Sequence, residues 1–169
     1  DRTDSKSTSG YMVTLSGCLI SWRTMKQKAV STSTVEAEYI AACAATKELL
    51  WLQYLLTEIL GITSMPIPKL HLDSSGAEAI IKGSGISDKT KHIRYSNHFV
   101  RDCHANKLIE VVHVDGTENP ADMFTKPLSN TKFDKFRRMG NIFKKGDLSS
   151  ELKSAFCKRG ILKRVKFDE

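Results

Sequence analysis

Residues 31–60 read STSTVEAEYIAACAATKELLWLQYLLTEIL, a run with helically spaced apolar positions, followed by Gly61. Gly61 predicts a left-handed C-cap, and Ser33-Thr34-Val35-Glu36 fits the box in which a first-turn glutamate reaches back to the N-cap amide. The segment is expected to be one long, largely buried helix. Glu36 belongs to its cap and, at about 100° per residue, to a polar face with Lys47, Thr57 and Glu58. Glu38 instead projects among Ala41, Ala42, Ala45, Leu49, Leu52 and Leu56, in the middle of the apolar half. A carboxylate buried there has to be paired, protonated or bound to a metal, because an unpaired buried charge costs several kcal/mol. The ordinary alternative is a partly exposed first-turn acid that complements the helix dipole.

Upstream, GYMVTL (10–15) and CLISWR (18–23) are strand-like runs joined by Ser16-Gly17, which predicts a hairpin. The linking segment that follows has room for a short strand around Ala29–Ser31. Downstream, KLHLD (69–73) reads as a short strand and SSGAEAIIKG as a short helix closed by Gly83. HIRYSNHFVRDCHANK (92–107) reads as a helix and LIEVVHV (108–114) as a strand. Asn119 and Pro120 start a further helix as N-cap and first helical residue. The order is hairpin, helix, strand, helix, helix, strand, helix, which predicts an α/β domain with a mixed sheet.

Two more acids fall at corners of this plan. Asp73 ends a strand and precedes a helix, and carboxyl ends of strands in α/β sheets are where ligands bind. Its ordinary role would be to cap the next helix, although Ser74 and Ser75 are available for that. Asp122 lies in the first turn of the helix after LIEVVHV, where complementing the dipole is the ordinary explanation. Three acids without convergent His or Cys suit a hard cation such as Mg²⁺. His92, His98 and His104 are six apart, which suits no helical zinc pair. The scattered Cys18, Cys43, Cys103 and Cys157 include no C-x-x-C pair and read as reduced thiols of an intracellular protein.

The 169 residues suffice for one domain plus a tail, and no apolar run is long enough for a membrane span. The net charge of +7 is confined to one end. Residues 129–169 hold twelve basic and five acidic side chains, whereas residues 1–128 are balanced. We therefore expect a domain over 1–128 and a basic, helical tail over 129–169. The tail suits nucleic acid or another polyanion, and equally a solvated helical end. The polar opening DRTDSKSTSG reads as part of a longer polyprotein.

DRTDSKSTSGYMVTLSGCLISW, STVEAEYIAA, LHLDSSGAEAI, DKTKHIRYSNHFVRD and ENPADMFTKPL, in this order and spacing, resemble the ribonuclease H domain of copia-type LTR retrotransposon Pol polyproteins. The resemblance covers roughly residues 1–140. It implies a ribonuclease H-like mixed sheet flanked by helices, and a two-metal mechanism in which four carboxylates hold two Mg²⁺ ions, with Mn²⁺ as the substitute. It implies Glu38, Asp73 and Asp122 as catalytic and metal-binding residues. The substrate implied is the RNA strand of an RNA–DNA hybrid, and the partner is the reverse transcriptase domain of the same polyprotein. The location implied is cytoplasmic, in a virus-like particle. The family's first central strand, which carries its first catalytic Asp, would precede this sequence. Asp1 and Asp4 have no strand to place them as substitutes. Arg94 stands where the family is commonly acidic; with Lys89, Lys91 and Arg101 it is expected to face the hybrid's phosphates, or else to form a solvated helix face. The competing function is a non-catalytic ribonuclease H-like module that binds nucleic acid or reverse transcriptase, and the missing first Asp favours it for this chain. An integrase-type nuclease is disfavoured, since it would need an acid on a late helix and none on the first.

Overall fold

A computed structural model describes residues 6–28, 31, 33–83 and 98–143. The chain is a mixed α/β structure in which two small sheets pack on one long helix. Strands β1 (Thr8–Leu15) and β2 (Cys18–Lys26) form the expected antiparallel hairpin, pairing from Thr8↔Lys26 to Leu15↔Cys18. Its turn has positive φ at both Ser16 (52°) and Gly17 (79°), the backbone that matches the twist of a two-residue hairpin.

Helix α1 (Thr34–Leu60) starts where Ser33 Oγ accepts the Glu36 N–H at 3.1 Å, and stops at Gly61, whose φ is 62°. Its front half is buried through Tyr39, Ala42, Cys43, Thr46 and Leu50. Its far end is not: Trp51 is 56% exposed and Tyr54 70%. The expectation of a largely buried helix therefore holds for only half its length. A helix of 27 residues is about 40 Å long. The eight residues of β1 span about 27 Å, so α1 overruns the sheet it packs on.

Strand β3 (Lys69–Leu72) pairs in parallel with β4 (Glu110–His113), from Lys69↔Glu110 to Leu72↔His113. Helices α2 (Ser75–Ile81) and α3 (Phe99–Ala105) lie between them in sequence. Leu70, Leu72, Ile80, Ile81, Val100, Ile109 and Val111 join the front of α1 in one apolar core. Of the helix expected over 92–107, the described part is α3 and its flanks; residues 92–97, and the Ala29 and Val30 of the short strand expected around 29–31, lie outside the described residues.

The helix expected after LIEVVHV is a five-residue 3₁₀ turn, Pro120–Phe124. Pro127 disfavours helical backbone at the residue before it, which leaves little room for more. Helix α4 (Asn130–Met139) follows, capped by Ser129 Oγ. The 3₁₀ turn and α4 cover the hairpin face opposite α1. Gly10 admits the turn: a Cβ there would lie 2.7 Å from Thr125 Cγ2 and 2.9 Å from Phe124 Cβ. Thr24 Oγ1 donates to the Phe124 carbonyl at 2.9 Å, and Leu19 N–H to that of Gly140 at 3.0 Å.

Among the described residues no ladder joins β1 to β3, so the sheet is two separate pairs rather than one. Helix α1 packs on β1 and on β3 and thereby bridges them. No helix among the described residues is long and apolar enough to cross a membrane.

Candidate active site

Glu38, Asp73 and Asp122 come from three different elements and line one cavity of about 460 Å³. Glu38 stands on the first turns of α1, Asp73 follows the last residue of β3, and Asp122 sits within the 3₁₀ turn. Residues 7–10, around the start of β1, also line it. The cavity thus opens where β1 and β3 fail to pair. Glu36 does not line it.

Each placement has a local cause. Asp73 is not the cap of α2, because Ser74 Oγ accepts the Ala77 N–H at 3.2 Å and leaves the Asp73 carboxylate to face the cavity. Gly116, just after β4, passes close enough that a Cβ there would lie 3.4 Å from Asp73 Oδ2. Asn119 caps the 3₁₀ turn as expected, with Oδ1 accepting the Ala121 N–H at 3.1 Å.

Of the two readings of Glu38, the structure favours the exposed one. Glu38 is open to water rather than enclosed by the apolar face, because the cavity lies in front of it. Enough protein still surrounds the carboxyl to desolvate it in part. That burial, and then the charges of Asp73 and Asp122, push its pKa upward, while Lys126 acts in the opposite sense. Mutually repelling carboxylates with oxygen as the sole donor type suit a hard divalent cation.

Asp122 is buried, and both its carboxylate oxygens are occupied. Lys126 Nζ lies 2.9 Å from Oδ1 and Lys132 Nζ 3.3 Å from Oδ2. Correspondingly, no three acidic, His or Cys side chains among the described residues are close enough together to form a ready-made ion cage. The donor chemistry suits Mg²⁺, and both oxygens of Asp122 are engaged by lysines. Neither lysine was singled out from the sequence. Lys126 had a local signal, the i, i+4 spacing from Asp122; Lys132, ten residues on, had none.

Gln27 was also missed. Its buried amide donates to Ser9 Oγ at 2.8 Å and to the Ala37 carbonyl at 2.9 Å, tying the start of β1 to the first turn of α1 and fixing one wall of the cavity.

Of the basic residues expected to face phosphate, Arg101 lies half-exposed on α3. Lys89, Lys91 and Arg94 lie outside the described residues, as does the tail beyond residue 143. His98 precedes α3, its Nδ1 3.4 Å from the hydroxyl of buried Tyr39. Cys18, Cys43 and Cys103 are in no disulfide, and burial pushes the pKa of Cys43 up.

No family model matches the chain, and neither does any solved structure. Curated relatives do match. The chain is 40% identical over 134 residues, 79% of its length, to "Retrovirus-related Pol polyprotein from transposon TNT 1-94" of Nicotiana tabacum. It is 38% identical over 144 residues (85% of its length) to the Pol polyprotein from transposon RE2 of Arabidopsis thaliana, and 39% identical over 136 residues (80%) to that from transposon RE1 of the same plant. The chain spans about a tenth of the length of these relatives, which match 10%, 10% and 9% of their own sequences. Its homologues are thus Pol polyproteins of transposons.

Proposed function

We propose that this chain is a retroelement ribonuclease H domain, acting on the RNA strand of an RNA–DNA hybrid during reverse transcription. The observation that carries the reading is the meeting of Glu38, Asp73 and Asp122, from three elements, at one cavity beside the end of a parallel strand. The homology to transposon Pol polyproteins supports the same reading.

Glu38, Asp73 and Asp122 would hold Mg²⁺ or Mn²⁺. When bound, such ions lower the pKa of an attacking water and neutralise the leaving oxygen of the scissile phosphodiester. The chain's own residues have the remaining tasks. Glu38 and Asp73 present carboxylate oxygens toward one space, and their repulsion makes that space favourable for cations. Lys132 holds the Asp122 carboxylate from the side of α4. The basic segment 89–101 and the tail would track the hybrid's phosphates.

The reading also requires a central strand between β1 and β3, bearing a fourth carboxylate. Among the described residues no strand joins β1 to β3. We therefore expect little cleavage from these 169 residues alone. The competing reading is a non-catalytic module that binds hybrid or reverse transcriptase.

The test is Mg²⁺-dependent cleavage of a labelled RNA–DNA hybrid. It compares this chain with one extended at its N-terminus by the Asp-bearing strand of a related Pol polyprotein. Cleavage confined to the extended protein, and lost in its Asp73→Asn variant, is the expected result. Hybrid binding without cleavage by both proteins would favour the non-catalytic module.

A further inference from the structure

The pairing of Asp122 with two lysines has a division of labour in it. A buried carboxylate with no cation beside it needs a counter-charge, and one ammonium would serve. Here there are two, and they differ in surroundings. Lys126 lines the same cavity as Glu38 and Asp73, and its side chain is 54% exposed. Its backbone N–H is bonded to the Asp122 carbonyl at 3.2 Å, so its root is fixed while its side chain is free to swing. Lys132 does not line the cavity. It reaches Asp122 from α4, is 33% exposed, and its ammonium lies 5.1 Å from the Phe136 ring centroid, within cation–π range.

We propose that Lys126 is an exchangeable counter-cation, seated on Asp122 until a divalent ion displaces it, while Lys132 stays and keeps Asp122 oriented. This rests on the reading of the cavity as a divalent-cation site. The physical argument is one of relative cost. The Lys126 ammonium already stands largely in water and regains its hydration on leaving, while Lys132 still neutralises the buried Asp122, so releasing Lys126 is cheap. Lys132 would give up its ring contact as well as the pair. Lys126 also lines the cavity together with Glu38 and Asp73, so its ammonium stands beside the carboxylates that would hold the ion. In this scheme Lys126 and Lys132 are positioning residues: both act through Asp122.

Two measurements on the full chain test this. The first is lysine acetylation by a limiting amine reagent, read by mass spectrometry with and without Mg²⁺. An ammonium held by a carboxylate reacts slowly, so Lys126 should label faster once Mg²⁺ is added, with Lys132 unchanged. The second is Mn²⁺ affinity by electron paramagnetic resonance. Lys126→Met should tighten binding by about twofold to fivefold, the scale of one screened ion pair. Lys132→Met should not tighten it to that degree. Equal affinity in wild type and Lys126→Met, with binding still lost in Glu38→Gln, would overturn the exchange and leave the cation site standing. Unchanged binding in Glu38→Gln would remove the site itself, and the exchange with it.

Discussion

Glu36 and Glu38 lie two residues apart at the front of α1, yet one takes part in the helix start and the other faces the cavity with Asp73 and Asp122. Projection of the sequence separated them, because 200° of helical turn puts them on opposite sides. It left open whether Glu38 is enclosed or partly exposed, since no pattern in a single helix shows that the neighbouring sheet is interrupted. Burial and two like charges raise the Glu38 pKa, so its ionised form costs the fold stability at neutral pH. Glu38→Gln should therefore stabilise the cation-free chain at pH 7. The gain should be at most about 1 kcal/mol, since water in the cavity screens the charges, and a urea titration would read it. A drop in stability would show that the charge has a partner. The next residue, Tyr39, faces the core, and burial above all pushes its phenol up from 10.0 to about 12. A pKa raised in the fold gives stability that is whole below pH 10 and lost as pH rises toward 12. Between those values the urea midpoint should fall more steeply for wild type than for Tyr39→Phe; parallel curves would dismiss the linkage. Gln27 and Lys132 were illegible in the sequence for a common reason: each acts across the fold, on partners that no local spacing announces.

Among the elements, the hairpin, α1 and β3 could be read almost to their ends, because Gly17 and Gly61 and the alternation of KLHL are local signals. The 3₁₀ turn was read as a helix although Pro127 leaves little room for one, and its seat depends on what it packs against. It lies on β1 at Gly10, where a methyl group would meet Thr125 Cγ2 at 2.7 Å and the Phe124 backbone carbon at 3.2 Å. Part of that wall is backbone, which cannot swing aside. Gly10→Ala should cost about 1–3 kcal/mol, the range for overpacking a tight contact. Because the displaced turn carries Asp122, the same variant should also weaken divalent-cation binding. Chemical denaturation and Mn²⁺ titration would check both effects, and loss of stability with unchanged Mn²⁺ affinity would show that Asp122 does not depend on this contact.

At the scale of the whole molecule, composition puts the excess positive charge in residues 129–169, and α4, the described start of that stretch, packs with the 3₁₀ turn. The interruption between β1 and β3 among the described residues is what places the cavity. If the tail contributes to hybrid affinity, deleting residues 141–169 should weaken binding. It should also flatten the dependence of binding on salt, by roughly one unit of slope for each phosphate that the tail neutralises. Fluorescence anisotropy across a salt series would read both, and identical slopes would exclude the tail. The central claim is that Glu38, Asp73 and Asp122 share a cation site while Glu36 does not. The most direct measurement is the rise in melting temperature of the full chain on adding Mg²⁺, since a ligand that binds only the folded state stabilises it. Wild type and Glu36→Gln should show the same rise, and Glu38→Gln, Asp73→Asn and Asp122→Asn should show none. An equal rise in all five proteins would contradict the account.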